Sequence, residues 1–230
     1  MMDKVVWLVA GNKGGVGKSV VGKALAGWLR SQPVPVIVVD GDERTPDVAR
    51  AFEDSLPVTE LRLDDESGWR EYADFIGSNR LIGHIVTNLP DGVTDKAMGF
   101  LERFRIVAEA HGFIVKVLFV MNNLPDGLHL LPELRLVLPR LFPVKNLHFG
   151  PPESFVHFDQ AYGPGSAADT VLFPGLHPRI MSVARESGLA FSAFANQRAN
   201  TPTNFTWAKI AVANWYAEAC EALDETLYGE

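Results

Sequence analysis

The run Gly11-Asn12-Lys13-Gly14-Gly15-Val16-Gly17-Lys18-Ser19 constrains this chain more than any other stretch. It follows a short apolar run, Val5-Val6-Trp7-Leu8-Val9, and precedes a helix-like segment from Val20 to Leu29. Glycines let the backbone curl tightly and aim its N–H groups inward at anionic oxygens. The helix start behind them adds about half a positive charge. Strand, glycine loop and helix in this order form the context of a phosphate-binding loop. In such a loop Lys18 reaches the β- and γ-phosphates and the Ser19 hydroxyl ligates Mg²⁺. The loop carries two lysines where one is needed, and Asn12 stands where the usual pattern begins with glycine.

Strand-like runs alternate with helical patterns along the rest of the chain, which predicts a sheet with crossover helices. Pro35-Val36-Ile37-Val38-Val39 reads as a buried strand ending in Asp40-Gly41-Asp42, with Thr45-Pro46 as a helix start. Val58 to Leu63 reads as a further strand, and Asp64 to Ser67 as the cap of a helix through Trp69, Tyr72 and Phe75. Ile85-Val86-Thr87 is a compact strand before Asn88-Leu89-Pro90. Ala97, Phe100, Leu101, Phe104, Val107 and Ala108 fall on one helical face. Phe113 to Met121 is the longest strand candidate. A helical stripe from Leu130 to Leu141 follows, bent or ended at Pro139. Residues 146–165 are rich in Pro, Gly and aromatics and receive no assignment. Thr170-Val171-Leu172-Phe173 reads as the last strand, and a C-terminal helix over about 203–225 is laid on the core. The expected fold is α/β, a single doubly wound P-loop NTPase domain over residues 1–230 with a mostly parallel central sheet.

The loop Lys13-Gly14-Gly15-Val16-Gly17-Lys18-Ser19 resembles the deviant Walker A motif of the ParA/MinD ATPases. The resemblance implies that Lys13 reaches across a dimer to nucleotide held by the partner subunit. It implies nucleotide contacts along Asn12, Lys13, Gly14, Gly15, Val16, Gly17, Lys18, Ser19 and Val20. The spacing of Asp40 and Asp42 resembles the family's Asp-x-Asp switch element, so Asp42 is expected to orient the attacking water and Asp40 to support the Mg²⁺ shell. On the residues alone, the same aspartates also suit a turn and helix cap. Lys13, Lys18 and Asp42 are the expected catalytic set, and Ser19, Asp40 and Asn88 the expected metal set.

Two positions depart from the family pattern. Asn88-Leu89-Pro90 falls where relatives have Asp-x-Pro, and the amide contributes no negative charge to Mg²⁺. Slow turnover is expected. Val20 stands where relatives often place a hydroxyl beside the α-phosphate, at a cost of about 1 kcal/mol in binding. For the base, Asn122 is the expected adenine reader, with Asn123 the register alternative. Leu172-Phe173-Pro174, followed by Ile180 to Ala184, resembles the family's last strand, base-flanking loop and helix. No Asn-Lys-x-Asp guanine motif occurs.

Residues 39–47 look more like divergent members associated with plasmid stabilisation and conjugative transfer, such as StbB-like and TraL-like proteins. That likeness implies an ATP-binding, slowly hydrolysing ATPase that dimerises on ATP. It would act as a switch in plasmid or DNA partition, positioning or transfer, through a protein adaptor, with direct DNA contact left open. A nucleotide-binding adaptor with negligible catalysis is the alternative that Asn88 favours. A small-molecule kinase or ligase on the same fold is disfavoured by Lys13. The net charge of −7 speaks against a chain coated by nucleic acid, and the acidic end from Glu218 to Glu230 against a basic membrane anchor. Arg103, Arg105, Arg135, Arg140 and Lys145 read as solvated helix faces before a DNA surface. His148, His157 and Asp159 match no standard metal spacing. The lone Cys220 and the absence of a long apolar run predict a reduced, cytoplasmic chain.

Overall fold

The computed structural model describes residues 3–11, 13–42, 45–92, 98–163, 169–196 and 203–228. Seven strands form one sheet: β1 (Lys4–Ala10), β2 (Val36–Asp40), β3 (Val58–Glu60), β4 (His84–Asn88), β5 (Phe113–Met121), β6 (Leu141–Asn146) and β7 (Val171–Phe173). They lie in the order β3-β2-β4-β1-β5-β6-β7, and every neighbouring pair is parallel. Parallel neighbours need crossovers, and most of these carry helices. The longer ones are α1 (Lys18–Arg30), α2 (Asp47–Phe52), α3 (Glu66–Ser78), α4 (Met98–Ala110) and α5 (Leu131–Val137). Later come α6 (Val156–Tyr162), α7 (Pro178–Glu186), α8 (Phe191–Asn196) and α9 (Thr203–Tyr228).

The period of two in β1 divides the interior into two layers. Val5, Trp7 and Val9 face the layer of α1 and α9, with Leu25, Trp28, Val212 and Trp215. Val6, Leu8 and Ala10 face α3 and α4, with Trp69, Tyr72, Leu101 and Phe104. Burial on both faces explains why the central strands read as continuous apolar runs. Each fully buried side chain of this size contributes roughly 1.5–3 kcal/mol.

The α/β class, the doubly wound parallel sheet and the long last helix match expectation. Asp65 caps α3 by accepting from the Gly68 N–H at 3.0 Å, within the stretch read as a cap. Several boundaries differ. The third strand ends at Glu60 rather than Leu63, and Pro46 is the N-cap of α2 rather than its first helical residue. Leu141 opens β6 instead of closing a helix, because α5 ends at Val137 before Pro139. The unassigned stretch contains the end of β6, two short 3-10 turns and α6. Trp207, on α9, is exposed. Ala97 and Asn12 lie outside the described residues. No helix among the described residues is long and apolar enough to cross a membrane.

Candidate functional site

The carboxyl ends of β1, β2, β4, β6 and β7 converge on a cleft of about 300 Å³. Open parallel sheets bind their ligands at this edge. The glycine loop forms one wall. Gly17, the N-cap of α1, holds φ 103°, a left-handed conformation that favours glycine, and its carbonyl accepts from the Val20 and Val21 N–H groups at 3.0 Å. No acidic residue stands in the first turn of α1 to compete for an anion. Asn146, at the end of β6, donates from Nδ2 to the Val16 carbonyl at 2.8 Å and braces the loop from behind.

Both lysines of the loop are paired with aspartates. Lys18 is buried; its ammonium donates to Asp91 and to the Lys13 carbonyl at 3.3 Å. Lys13 is half-exposed and donates to Asp126, on the loop after β5. Gly15, Gly17, Lys18, Ser19 and Val20 line the cleft together with Asp42 and Asn88.

Asp40 and Asp42 separate into two roles. Asp40 is fully buried, and its Oδ2 accepts from the Val48 and Ala49 N–H groups at 3.0 Å, capping α2 from the end of β2. Its Oδ1 accepts from Asn88 Nδ2 at 3.0 Å and from the Asp42 N–H at 3.3 Å. Burial pushes its carboxyl above the usual range, opposed by the hydrogen bonds from Asn88, Ala49, Asp42 and Val48. Asp42 faces the cleft and accepts from Thr45 Oγ1 at 3.0 Å.

Asn88 joins Asp40 to the cleft. Its Nδ2 is spent on Asp40, while its Oδ1 is buried and has no hydrogen-bond partner among the described residues. Leaving such an acceptor unmet costs about 1–3 kcal/mol. An acceptor-only group beside Ser19 and Asp42 fits the water shell of Mg²⁺, an ion that keeps several waters and takes few protein ligands.

The far wall is aromatic and apolar: Phe149, Phe173, Pro174, Leu176, Phe191 and Trp215. Trp215 Nε1 donates to the Pro174 carbonyl at 2.8 Å and fixes that wall. Asn122 is not among the lining residues; its Oδ1 accepts from the Leu124 N–H at 3.1 Å, a turn contact. Asn123 donates to the Phe149 carbonyl at 2.8 Å. Lys23, one helical turn beyond Val20, also lines the cleft; burial depresses its ammonium, partly offset by Asp47. Lys145 is no surface cation: it is buried, with Asp159 accepting its hydrogen bond at 2.6 Å. Asp91, Asp126, Asn146 and Lys23 escaped the sequence reading because each lies outside a phosphate-loop pattern. Only the Asp91-Gly92 turn signal was available for one of them.

No protein-family model matches the chain. Protein MobD from Acidithiobacillus ferrooxidans is 30% identical over 157 residues, covering 67% of this chain and 68% of that protein. Among solved structures, a nucleotide-binding protein from Archaeoglobus fulgidus in complex with ADP superimposes with a TM-score of 0.52 at 14% identity, over 88% of this chain and 91% of that one. The signal recognition particle receptor FtsY from Elizabethkingia anophelis superimposes with a TM-score of 0.53 at 13% identity, over 94% of this chain and 66% of that one. These two likenesses are of fold, and the fold is that of a P-loop NTPase.

Proposed function

The chain belongs to the family of Protein MobD, and from that premise we propose that it binds ATP with Mg²⁺, hydrolyses it slowly and dimerises in the ATP state. One observation carries the reading. A strand–glycine loop–helix unit brings Lys18, Ser19 and Asp42 to one cleft with a buried, unpartnered Asn88 Oδ1. Lys18 and the loop N–H groups hold the β- and γ-phosphates, and Ser19 with Asn88 holds the Mg²⁺ and its waters. Bound Mg²⁺ supplies charge neutralisation at the terminal phosphates. Asp42 accepts a hydrogen bond from the attacking water and orients it. Asp40 acts at one remove, fixing the Asn88 amide and the start of α2. Pro174 and the aromatic wall around it flank the base, and Asn122 shapes the loop beside it.

Lys13 makes the switch specific, since a half-exposed lysine serves a phosphate best when another subunit closes over it. Its cis partner, Asp126, must then be exchanged for the partner subunit's nucleotide. In the cell this cycle would drive plasmid positioning, partition or conjugative transfer through a protein adaptor, in keeping with the StbB-like and TraL-like character of residues 39–47. The superposed Archaeoglobus fulgidus protein is in complex with ADP, which supports a nucleotide in this cleft.

Mass measurement by light scattering, with ATP, ADP and no nucleotide, tests the switch. ATP is expected to double the mass of the wild type and to leave Lys13→Ala monomeric at the same concentration. Identical masses in all states for both proteins would refute it. If ATP binds but no phosphate is released even with Mg²⁺ and cellular partners, the second reading, a nucleotide-binding adaptor favoured by Asn88, takes its place.

A further inference from the structure

We infer that Asp91 is an internal competitor for the terminal phosphates, a carboxylate seated on Lys18 that a nucleoside di- or triphosphate must displace. The inference rests on the nucleotide reading above and concerns the affinity of that same site. Lys18 has little access to water, and a buried ammonium needs an anion. Asp91 supplies one, and Lys18 is its hydrogen-bond partner among the described residues. The second carboxylate oxygen lies over the loop itself, where a Cβ built on Gly14 would come within 2.5 Å of it. One oxygen therefore sits on the phosphate-binding lysine and the other against the backbone that a phosphate would approach.

The competitor is built to leave. The Asp91 side chain is 56% exposed, so it reaches inward from the surface and is not packed in place. It sits in a turn before Gly92, whose φ of 67° is left-handed. The carboxylate brings one charge and two acceptor oxygens to Lys18, and terminal phosphates bring more of both. The exchange favours phosphate, yet by less than binding to an unpaired lysine would. Asp91 thus sets a threshold nucleotide concentration, because apparent affinity falls with the fraction of loops free to bind. A monophosphate, which ends at the α position, does not contest Lys18 and escapes this threshold.

Calorimetric titration of the full chain with ATP, ADP and AMP in the presence of Mg²⁺ tests this. Asp91→Asn and Asp91→Ala are expected to bind ATP and ADP roughly 3- to 10-fold more tightly than wild type. AMP affinity is expected to be unchanged, and Lys18→Ala should abolish the difference between Asp91 and its variants. Binding by the variants alone would also support the inference. Equal or weaker ATP binding by both variants overturns it. Weakening seen only with Mg²⁺ overturns it in favour of a metal-supporting Asp91. Binding by none of the proteins, all folded and at millimolar ATP, overturns the nucleotide reading itself and this inference with it.

Discussion

The two edges of the sheet treat buried charge in opposite ways. At the carboxyl edge, Lys18 and Lys13 are met by aspartates on loops, groups that a stronger anion can exchange. At the amino edge, Lys116 has no carboxylate within 4.0 Å among the described residues; it donates to the Leu227 carbonyl at 3.4 Å and lies over rings. Its ammonium is 4.9 Å from the Trp7 ring centre and 5.0 Å from that of Tyr228. Beside it, His84 Nδ1 accepts from Trp7 Nε1 at 3.3 Å, and the Trp28 and Tyr228 rings meet at a tilt of 60° with centres 5.4 Å apart. Burial pushes Lys116 down, with Arg140 adding to the effect, and burial then Lys116 push His84 down to about 4. Rings stabilise charge without offering a site for exchange, whereas half-exposed carboxylates do both. The difference separates an edge where lysines are covered by rings from one where they meet solvent-reaching carboxylates.

The largest test of this contrast is Lys18→Ala. It should weaken ATP binding by about 100-fold or more, by calorimetry, because a charge-assisted contact to phosphate is lost. Its melting temperature should stay close to wild type, since Asp91 simply returns to water. A large fall in stability with intact ATP binding would erase the distinction between the two edges. Asn88→Asp is expected next in size. The new carboxylate faces Asp40, which loses a hydrogen-bond donor, so chemical denaturation without Mg²⁺ should show a loss of about 2 kcal/mol. Mg²⁺ should restore part of that loss and raise phosphate release above wild type. A variant no faster, with unchanged Mg²⁺ dependence, would remove Asn88 as a brake on the proposed hydrolysis.

The smallest effect belongs to the amino edge. His84 is held neutral in the folded state while the unfolded chain protonates near the ordinary 6.5. The unfolded state therefore binds more protons between about pH 6.5 and about pH 4, and stability falls as pH falls through that window. Between about pH 6.5 and about pH 5 the loss should be about 1.5 kcal/mol. His84→Gln should flatten this slope in urea denaturation measured across pH. An unchanged slope would assign the pH dependence elsewhere.

The most legible part of the molecule was its start. Val5 to Val9, the glycine loop and α1 carry strong local signals, and the loop could be placed at the sheet edge from residues alone. The cap by Asp65 and the stop at Pro139 were readable for the same reason, since short side chains and proline act locally. β6 was hidden because Leu141 continues the spacing of the preceding leucines and Pro143 interrupts the strand pattern. The structure tolerates that proline where β7 has not yet joined, since β7 pairs only with Val144, Lys145 and Asn146. The site was half legible. Lys18, Ser19, Asp42 and Asn88 share the cleft, but the buried capping by Asp40 and the turn contact of Asn122 depend on how distant segments meet. Asp91 and Asp126 follow from loop geometry, which carries no periodicity to read.

The brace from Asn146 to Val16 has a consequence for how the molecule comes together. The two residues are 130 positions apart, yet the amide of one braces the glycine loop through the carbonyl of the other. A ribosome that has released only the first four strands has made every residue of the motif without the strut that holds it in shape. The loop therefore gains this brace late in assembly, only when the sixth strand docks beside the fifth.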